Sequence, residues 1–302
     1  MYKIADAHCD FLSHNTIEES DSWKYDQMNF SDLVKGGIKL QTFALWVPAD
    51  LEEKYVASRK QIDFLNSFID QHKDTMIQVK RCGDYFTESD IKALLSVEGG
   101  ECIDCRTELI DEVYNDGVRL MSLTWNDENE FAHGSLSIGG LKKHGYEAIK
   151  KLNKLKIALD VSHLNEESFW DVTSVYGLSI CATHSCVYDL CENPRNLKKD
   201  QIRHIINTDG FIGINFFPQF LTGRDARIKD ILRHIEYILE LGGENNLGFG
   251  SDFCGIDNTP RELRRASDFQ NLPCAMEYMG YESSLIKKIC YGNFERFILK
   301  FL

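Results

Sequence analysis

Short apolar runs rich in β-branched residues alternate with longer stretches of helical periodicity along most of the chain. Such alternation is typical of βα units arranged around a parallel sheet. The apolar runs predict eight strands, at residues 4–8, 40–47, 94–97, 120–124, 157–161, 179–183, 211–215 and 247–250. The periodic stretches predict helices at residues 55–72, 107–115, 145–155, 166–175, 200–207, 229–241 and 284–301.

The number of strands decides the expected fold class. Eight strands alternating with helices over 302 residues favour an α/β fold of the (β/α)8 TIM barrel type over an open, doubly wound sheet, which is the alternative. No domain boundary stands out, so we expect one barrel domain spanning residues 1–302. The segment from about Thr259 onward follows the eighth strand and is expected to form a helical extension around the outside of the barrel.

The charge balance narrows the class of partner. A formal net charge of −13 argues against nucleic acid and anionic membrane surfaces, because both bind basic patches that neutralise phosphates. The first residues lack the apolar stretch of a signal peptide, and no apolar run reaches membrane-spanning length, so we expect a cytoplasmic protein. The expected partner is therefore a small substrate, and a homodimer stays open.

The ten cysteines are expected to be free and mostly buried, since a large chain without a secretion signal rarely relies on disulfides. Cys102 and Cys105 have the spacing of a redox or zinc pair. A single pair of this kind is a weak signal, and we expect no function for it.

Ionisable residues stand at the ends of most predicted strands. The first strand delivers His8 and Asp10, which strand alternation would point to one face, although such a pair alone is typical of ordinary polar residues at a strand end. Later strands run into Glu98, His163, His184 and Asp252. Because the carboxyl ends of barrel strands meet at one mouth, these six side chains are expected to converge there.

Imidazoles and carboxylates without a thiolate cluster suit zinc, with manganese or iron less favoured and calcium disfavoured. The candidate ligands are His8, Asp10, Glu98, His163 and His184. They are more ligands than one tetrahedral ion with an open position can bind. Two Zn²⁺ ions bridged by Glu98 and a hydroxide would use them all. Asp252 would then transfer protons, first as general base and then as general acid, and a further metal ligand is its alternative role.

Several motifs together resemble the membrane dipeptidase (renal dipeptidase) family of zinc peptidases, peptidase family M19, a branch of the amidohydrolase superfamily. They lie at residues 6–10, 97–100, 117–119, 123–124, 160–163, 183–185, 194–196 and 248–253, and so cover nearly the whole chain. The resemblance implies a binuclear zinc centre in a (β/α)8 barrel. One ion would be held by His8, Asp10 and Glu98, and the other by Glu98, His163 and His184.

The resemblance also implies roles for Asp252 and Arg195. Asp252 is expected to be the proton shuttle, and Arg195 is expected to bind the free carboxylate of the substrate. A guanidinium suits that task because it grips a carboxylate with two parallel hydrogen bonds. Without the resemblance, Arg195 would be interpreted as a surface residue of a Pro-Arg-Asn turn.

Two positions depart from the family pattern. Well-known members have a histidine that contacts the substrate near the scissile carbonyl, whereas this chain has Trp125 followed by Asn126. Trp125 and Asn126 are therefore the candidate substrate contacts here, with His133 as a further candidate, and a tryptophan cannot become a cation. Cys254 stands where the family often repeats an aspartate, and Cys9 is expected to face away from the ligands without binding metal.

The residues and the resemblance support a zinc-dependent dipeptidase that hydrolyses small dipeptides through a metal-bridging hydroxide and tolerates a D-residue at the C-terminal position. One alternative keeps the metal pair but acts on another amide, a cyclic amide or a lactone, because Trp125 alters the pocket wall. A catalytically silent peptide-binding or metal-binding protein is the third hypothesis. The complete ligand set argues against it.

Overall fold

The strands lie where the apolar runs predicted them, with one addition. The computed structural model describes residues 1–17 and 27–302. Its strands are β1 (Ile4–Asp6), β2 (Ile38–Leu45), β3 (Met76–Gln78), β4 (Ile91–Val97), β5 (Val118–Ser122), β6 (Ala158–Asp160), β7 (Cys181–Ala182), β8 (Phe211–Ile214) and β9 (Leu247–Phe249). Every residue of β4 and β5 is buried, as expected for parallel strands covered on both faces.

The sheet closes on itself. Its strand order is β2-β1-β9-β8-β7-β6-β5-β4-β3, and β2 also pairs with β4. The pairings are parallel, as between Ile212 of β8 and Leu247 of β9. The result is a closed barrel of eight parallel strands with flanking helices, which confirms the predicted TIM barrel.

The additional strand is β3, which pairs in parallel with the first residues of β4, from Ile91 to Ala93. Its three residues are too few to show an alternating pattern in the sequence. It lies outside the closed set of eight strands.

Helices occupy all of the predicted periodic stretches, and five further helices were not predicted. The helices are α1 (Phe11–Thr16), α2 (Phe30–Gly36), α3 (Lys54–Gln71), α4 (Cys82–Tyr85), α5 (Leu109–Asp116), α6 (Lys143–Leu155), α7 (Glu166–Val175), α8 (Lys199–Asn207), α9 (Pro218–Leu221), α10 (Ile228–Glu240), α11 (Asn271–Tyr278), α12 (Ser283–Lys287) and α13 (Asn293–Ile298). The five that were not predicted are α1, α2, α4, α9 and α11. The bounds of α7 match the prediction because the Asn165 side chain caps it, accepting from the Ser168 amide at 2.8 Å. None of the described helices combines the length and apolar character needed to cross a membrane.

The predicted helix at residues 284–301 is wrong in one respect, because a π-helical turn at Lys288–Gly292 divides it into α12 and α13. The buried Asn293 begins α13, and its side-chain amide donates to the main-chain oxygens of Glu244 (2.9 Å) and Leu247 (2.8 Å). Such single π turns interrupt α-helices where a residue must reach a particular partner. Here the partner is the start of β9.

The chain divides into two compact units. The first comprises Met1–Phe11, Ala182–Phe297 and the described part of Asp21–Gln41. The second comprises Thr42–Cys181, Ile298–Leu302 and the described part of Leu12–Ser20. The first contains a cluster of phenylalanine rings with centroids 5.4 to 6.0 Å apart, formed by Phe216, Phe249, Phe253 and Phe269. The expectation of a single domain stays a prediction.

Candidate metal centre

His8 and Asp10 follow β1 in the first unit, and both are buried. The His8 Nε2 atom lies 3.3 Å from the Asp10 Oδ2 atom. The strand is held by Asp6, whose carboxylate accepts from the Ser251 amide and hydroxyl, both at 2.7 Å, and from the Gln41 amide group at 3.0 Å. Burial raises the pKa of Asp6 to about 6, and these hydrogen bonds oppose that shift. Asp6 thus ties β1 to the segment that follows β9.

His184 lies against His8, with ring centroids 3.8 Å apart. Its Nδ1 atom is 2.8 Å from the Thr183 hydroxyl, which fixes the orientation of the ring. The main chain of Thr183 is approached closely by two glycines. A Cβ atom would stand 3.0 Å from the Thr183 carbonyl carbon if added at Gly213, and 2.8 Å if added at Gly250. The absence of side chains at these glycines therefore allows the Thr183 carbonyl group, next to His184, to lie against them.

Asp252 follows β9 and has a left-handed backbone, with φ of 62°. Its Oδ2 atom accepts from the Asn215 side-chain amide at 2.8 Å, and its Oδ1 atom is 3.8 Å from His8 Nε2. The Asp252 side chain is 13% exposed, whereas that of His8 is 2% exposed, so a substrate reaches Asp252 more readily. The sequence interpretation missed Asn215, although it ends the predicted strand at residues 211–215.

Glu98 and His163 belong to the second unit, after β4 and β6. The His163 Nε2 atom lies 2.7 Å from Glu98 Oε1, and both residues are 5% exposed. The His163 backbone is left-handed, with φ of 73°. The other ring nitrogen of His163, Nδ1, lies 2.8 Å from Asn126 Oδ1.

Two tryptophan rings lie next to His163 and to each other within the second unit. The Trp125 ring lies 6.1 Å from the His163 ring, and the Trp46 ring meets Trp125 edge-on at 5.3 Å. His133 contacts the Gly140 carbonyl oxygen (2.8 Å) and Glu128 (3.1 Å) through its two ring nitrogens. These contacts account for its polarity within the loop.

Arg195 is buried in the first unit, at 7% exposure, and is not the surface residue that a Pro-Arg-Asn turn suggests. Its Nη2 atom donates to the main-chain oxygen of His184 at 3.4 Å, and its guanidinium carbon lies 5.4 Å from the centre of the Phe220 ring. A buried guanidinium beside a candidate ligand is well suited to hold an anionic group of a substrate.

Buried side chains that could hold a metal ion occur in both units. They are His8, Asp10 and His184 in the first unit and Glu98, Asp160 and His163 in the second. Buried carboxylates require a cationic partner, and imidazole with carboxylate is the donor set of divalent transition metals. The residues therefore fit a divalent metal, and Asp160 is a possible ligand that the sequence interpretation did not include.

The cysteines take no part in these groups. All ten are free, as predicted, and Cys102 and Cys105 are buried. Burial raises the pKa of Cys9 and of Cys102 well above the ordinary thiol value, which keeps both thiols protonated.

A TIM barrel with buried groups of imidazoles and carboxylates defines a metal-dependent hydrolase of the barrel type. Residues 1–300 match the family described as membrane dipeptidase (peptidase family M19). The chain therefore belongs to this family and is a metallodipeptidase, which confirms the predicted family and enzyme class.

The chain is also similar to individual proteins. A protein encoded in the pqqA 5' region of Klebsiella pneumoniae is 34% identical over 72% of this chain and 84% of its own length. An uncharacterised dipeptidase of Schizosaccharomyces pombe is 28% identical over 90% of this chain and 74% of its own length. A metallopeptidase from Rhodobacter sphaeroides, solved with a phosphinate mimic of the dipeptide L-Ala-D-Ala, has the same fold, with a TM-score of 0.91, 23% identity and coverage of 100% of this chain and 99% of that one.

Proposed function

We propose that the chain is a zinc-dependent dipeptidase that binds two Zn²⁺ ions and hydrolyses small dipeptides with a free C-terminal carboxylate. One observation carries the proposal. The buried His163 Nε2 and Glu98 Oε1 atoms lie 2.7 Å apart, which pairs an imidazole with a carboxylate as ligand atoms. A carboxylate offers two oxygens, so Glu98 would serve as a bridging ligand.

In this proposal the five ligands are His8, Asp10, Glu98, His163 and His184. The partners of the imidazoles support it, because Thr183 and Asn126 contact the Nδ1 atoms, so that Nε2 would be the atom that binds a metal. When bound, the ions would supply a nucleophile derived from water at neutral pH and polarise the amide carbonyl.

Asp252 would move the proton. Its carboxylate takes a proton from the attacking water and returns it to the amide nitrogen as the carbon–nitrogen bond breaks, which yields a free amine and a free carboxylate. The Asn215 side-chain amide donates to the Asp252 Oδ2 atom at 2.8 Å, which fixes the orientation of the carboxylate that would exchange the proton.

Arg195 and Trp125 would contact the substrate. The Arg195 guanidinium would bind the C-terminal carboxylate, and the Trp125 ring, next to His163, would form the wall beside the scissile carbonyl. Because the Rhodobacter sphaeroides metallopeptidase was solved with a mimic of L-Ala-D-Ala, dipeptides with a C-terminal D-residue are the first substrates to test.

The test is a panel of L,L and L,D dipeptides with purified protein, assayed after dialysis against zinc, with release of free amino acids as the measurement. We expect turnover by the wild type and loss of at least about 100-fold in the Asp252→Asn variant, which keeps the size of the side chain but removes its basicity. Metal content per chain, measured on the same samples, should be two. No turnover above that of Asp252→Asn would contradict the proposal.

The second candidate function is hydrolysis of a cyclic amide or a lactone by the same metal pair. The contact of Trp125 with His163 favours it, because an indole cannot supply the charge that a histidine would bring to a dipeptide carbonyl. A panel in which cyclic amides turn over and dipeptides do not would select this function.

A further inference from the structure

His163 is held on two sides by the loop that follows β5. Its Nδ1 atom lies 2.8 Å from Asn126 Oδ1. Its main-chain oxygen accepts from the Ser135 amide at 2.8 Å. Contacts from residues 126–135 therefore hold both the ring of His163 and its left-handed backbone, which has φ of 73°.

The orientation of the Asn126 side chain follows from its neighbours. The Ser135 hydroxyl also donates to Asn126 Oδ1, at 3.2 Å, so two donors converge on the same amide oxygen. The Asn126 main-chain oxygen accepts from the Leu136 amide at 2.8 Å, which anchors the residue itself. An amide oxygen only accepts hydrogen bonds, so the His163 Nδ1 atom carries the proton.

The proton on Nδ1 decides the chemistry of the opposite nitrogen. With Nδ1 protonated, the neutral imidazole of His163 has its lone pair on Nε2. That atom lies 2.7 Å from Glu98 Oε1, within the group of potential ligand atoms. Fixing the tautomer and the ring orientation in this way is what a partner behind a metal ligand does, and losing such a partner typically costs about 10- to 100-fold in metal affinity.

We propose that Asn126 is a positioning residue for His163, which holds the imidazole with Nε2 ready to bind metal, and that it is not a substrate contact. The inference rests on the proposed role of His163 as a metal ligand. It replaces the expectation that Asn126 contacts the substrate, and it leaves Trp125 as the residue of this loop that meets the substrate.

Three variants test the inference. Asn126→Ala removes the acceptor, Asn126→Asp keeps an acceptor in the same place, and Asn245→Ala is a control at an exposed asparagine whose side chain contacts the neighbouring Glu244. Zinc affinity is measured by competition with a chromophoric chelator, and the visible absorption spectrum of the cobalt-loaded protein reports the ligand geometry. The melting temperature of each variant shows that it is folded.

We expect Asn126→Ala to bind one of its metal ions about 10- to 100-fold more weakly, with an altered cobalt spectrum and a KM within about twofold of the wild type. Asn126→Asp should keep the affinity, because a carboxylate accepts from Nδ1 as an amide does, and Asn245→Ala should behave as the wild type.

An Asn126→Ala variant with unchanged zinc affinity and a raised KM would overturn the inference in favour of a substrate contact. Loss of zinc affinity in Asn126→Asp would also overturn it, and this variant decides the question if Asn126→Ala does not fold. A His163→Ala variant that keeps both metal ions would instead refute the proposed ligand set, so the two failures are distinguishable.

Discussion

Gly255 gives the sharpest test of how tightly the first unit holds its carboxylates. A Cβ atom added there would stand 2.9 Å from Asp10 Cγ and 2.9 Å from Asp252 Oδ1, and closer still to Asp10 Oδ2. Gly255 does not have a positive φ, so alanine meets no backbone strain at this position. The Gly255→Ala change is therefore a purely steric displacement of a proposed ligand and of the proposed proton shuttle.

The size of the displacement follows from ordinary contact distances. Non-bonded carbon atoms pack at about 3.5 to 4.0 Å, so a contact at 2.9 Å requires the carboxyl groups to retreat by roughly 0.6 Å or more. Catalytic groups need placement within about 0.5 Å, and a misplacement of about 1 Å costs on the order of 100-fold in rate. We expect kcat/KM for a dipeptide to fall about 10- to 100-fold, or about 1.4 to 2.7 kcal/mol.

The assay is steady-state dipeptide hydrolysis with the metal content of each sample measured in parallel. Gly83→Ala in α4 is the matched control, because nothing lies within 4 Å of a Cβ atom added at Gly83, and we expect it to have wild-type activity. A folded Gly255→Ala protein with kcat/KM within about twofold of the wild type would refute the reasoning. An equal loss in Gly83→Ala would show that the effect is not local.

Four further outcomes are expected. His8→Ala should retain about one metal ion in place of two while its circular dichroism spectrum stays that of the wild type. Asn215→Ala should lower kcat about tenfold with little change in KM, because it removes a hydrogen bond to the charged Asp252, and restoration of kcat by Asn215→Leu, which has no donor, would argue for packing instead. Arg195→Gln should raise KM at least about tenfold for a dipeptide but leave hydrolysis of its C-terminal amide within about twofold, and equal losses on both substrates would argue against carboxylate recognition. Burial lowers the pKa of His234, whose Nδ1 atom accepts from the Val187 amide at 3.0 Å. The unfolded chain therefore binds more protons than the folded protein, and the free energy of unfolding should decrease as the pH drops below about 6.5. The Tm of His234→Gln, measured from pH 8 to 5, should depend on pH less steeply than that of the wild type.

The parts of the site that the sequence predicts are those fixed by strand position. Glu98 and Asp252 were predicted because an ionisable residue at the end of an apolar run has few structural reasons to be there. Asn215 ends a strand in the same way, but an asparagine has many ordinary roles in turns and so gave no comparable signal. Asp160 was not proposed as a ligand for a different reason. It lies within the predicted strand at residues 157–161, and not after its end as His163 does.

Contacts between distant loops are the part that a single sequence does not show. The bond between Asn126 and His163 depends on how the loop after β5 folds back, and no periodicity encodes that path. Backbone conformation is likewise hidden in a single sequence. Cys254 has φ of 71°, in the left-handed region that aspartate, asparagine and glycine adopt more readily than cysteine. Cys254→Asn or Cys254→Gly should be tolerated for that reason.

The two glycines beside Thr183 have a consequence for how mutational data on this protein would be interpreted. A complete scan of single substitutions would find Gly213 and Gly250 among the least tolerant positions, because any side chain there would overlap the Thr183 carbonyl group. Neither residue offers a functional group. The set of positions that do not tolerate substitution would therefore be larger than the set of residues that bind metal or move protons. Sensitivity to substitution at these positions reflects the lack of free space beside the Thr183 carbonyl group and the His184 backbone. A second substitution that creates a cavity elsewhere would not restore activity.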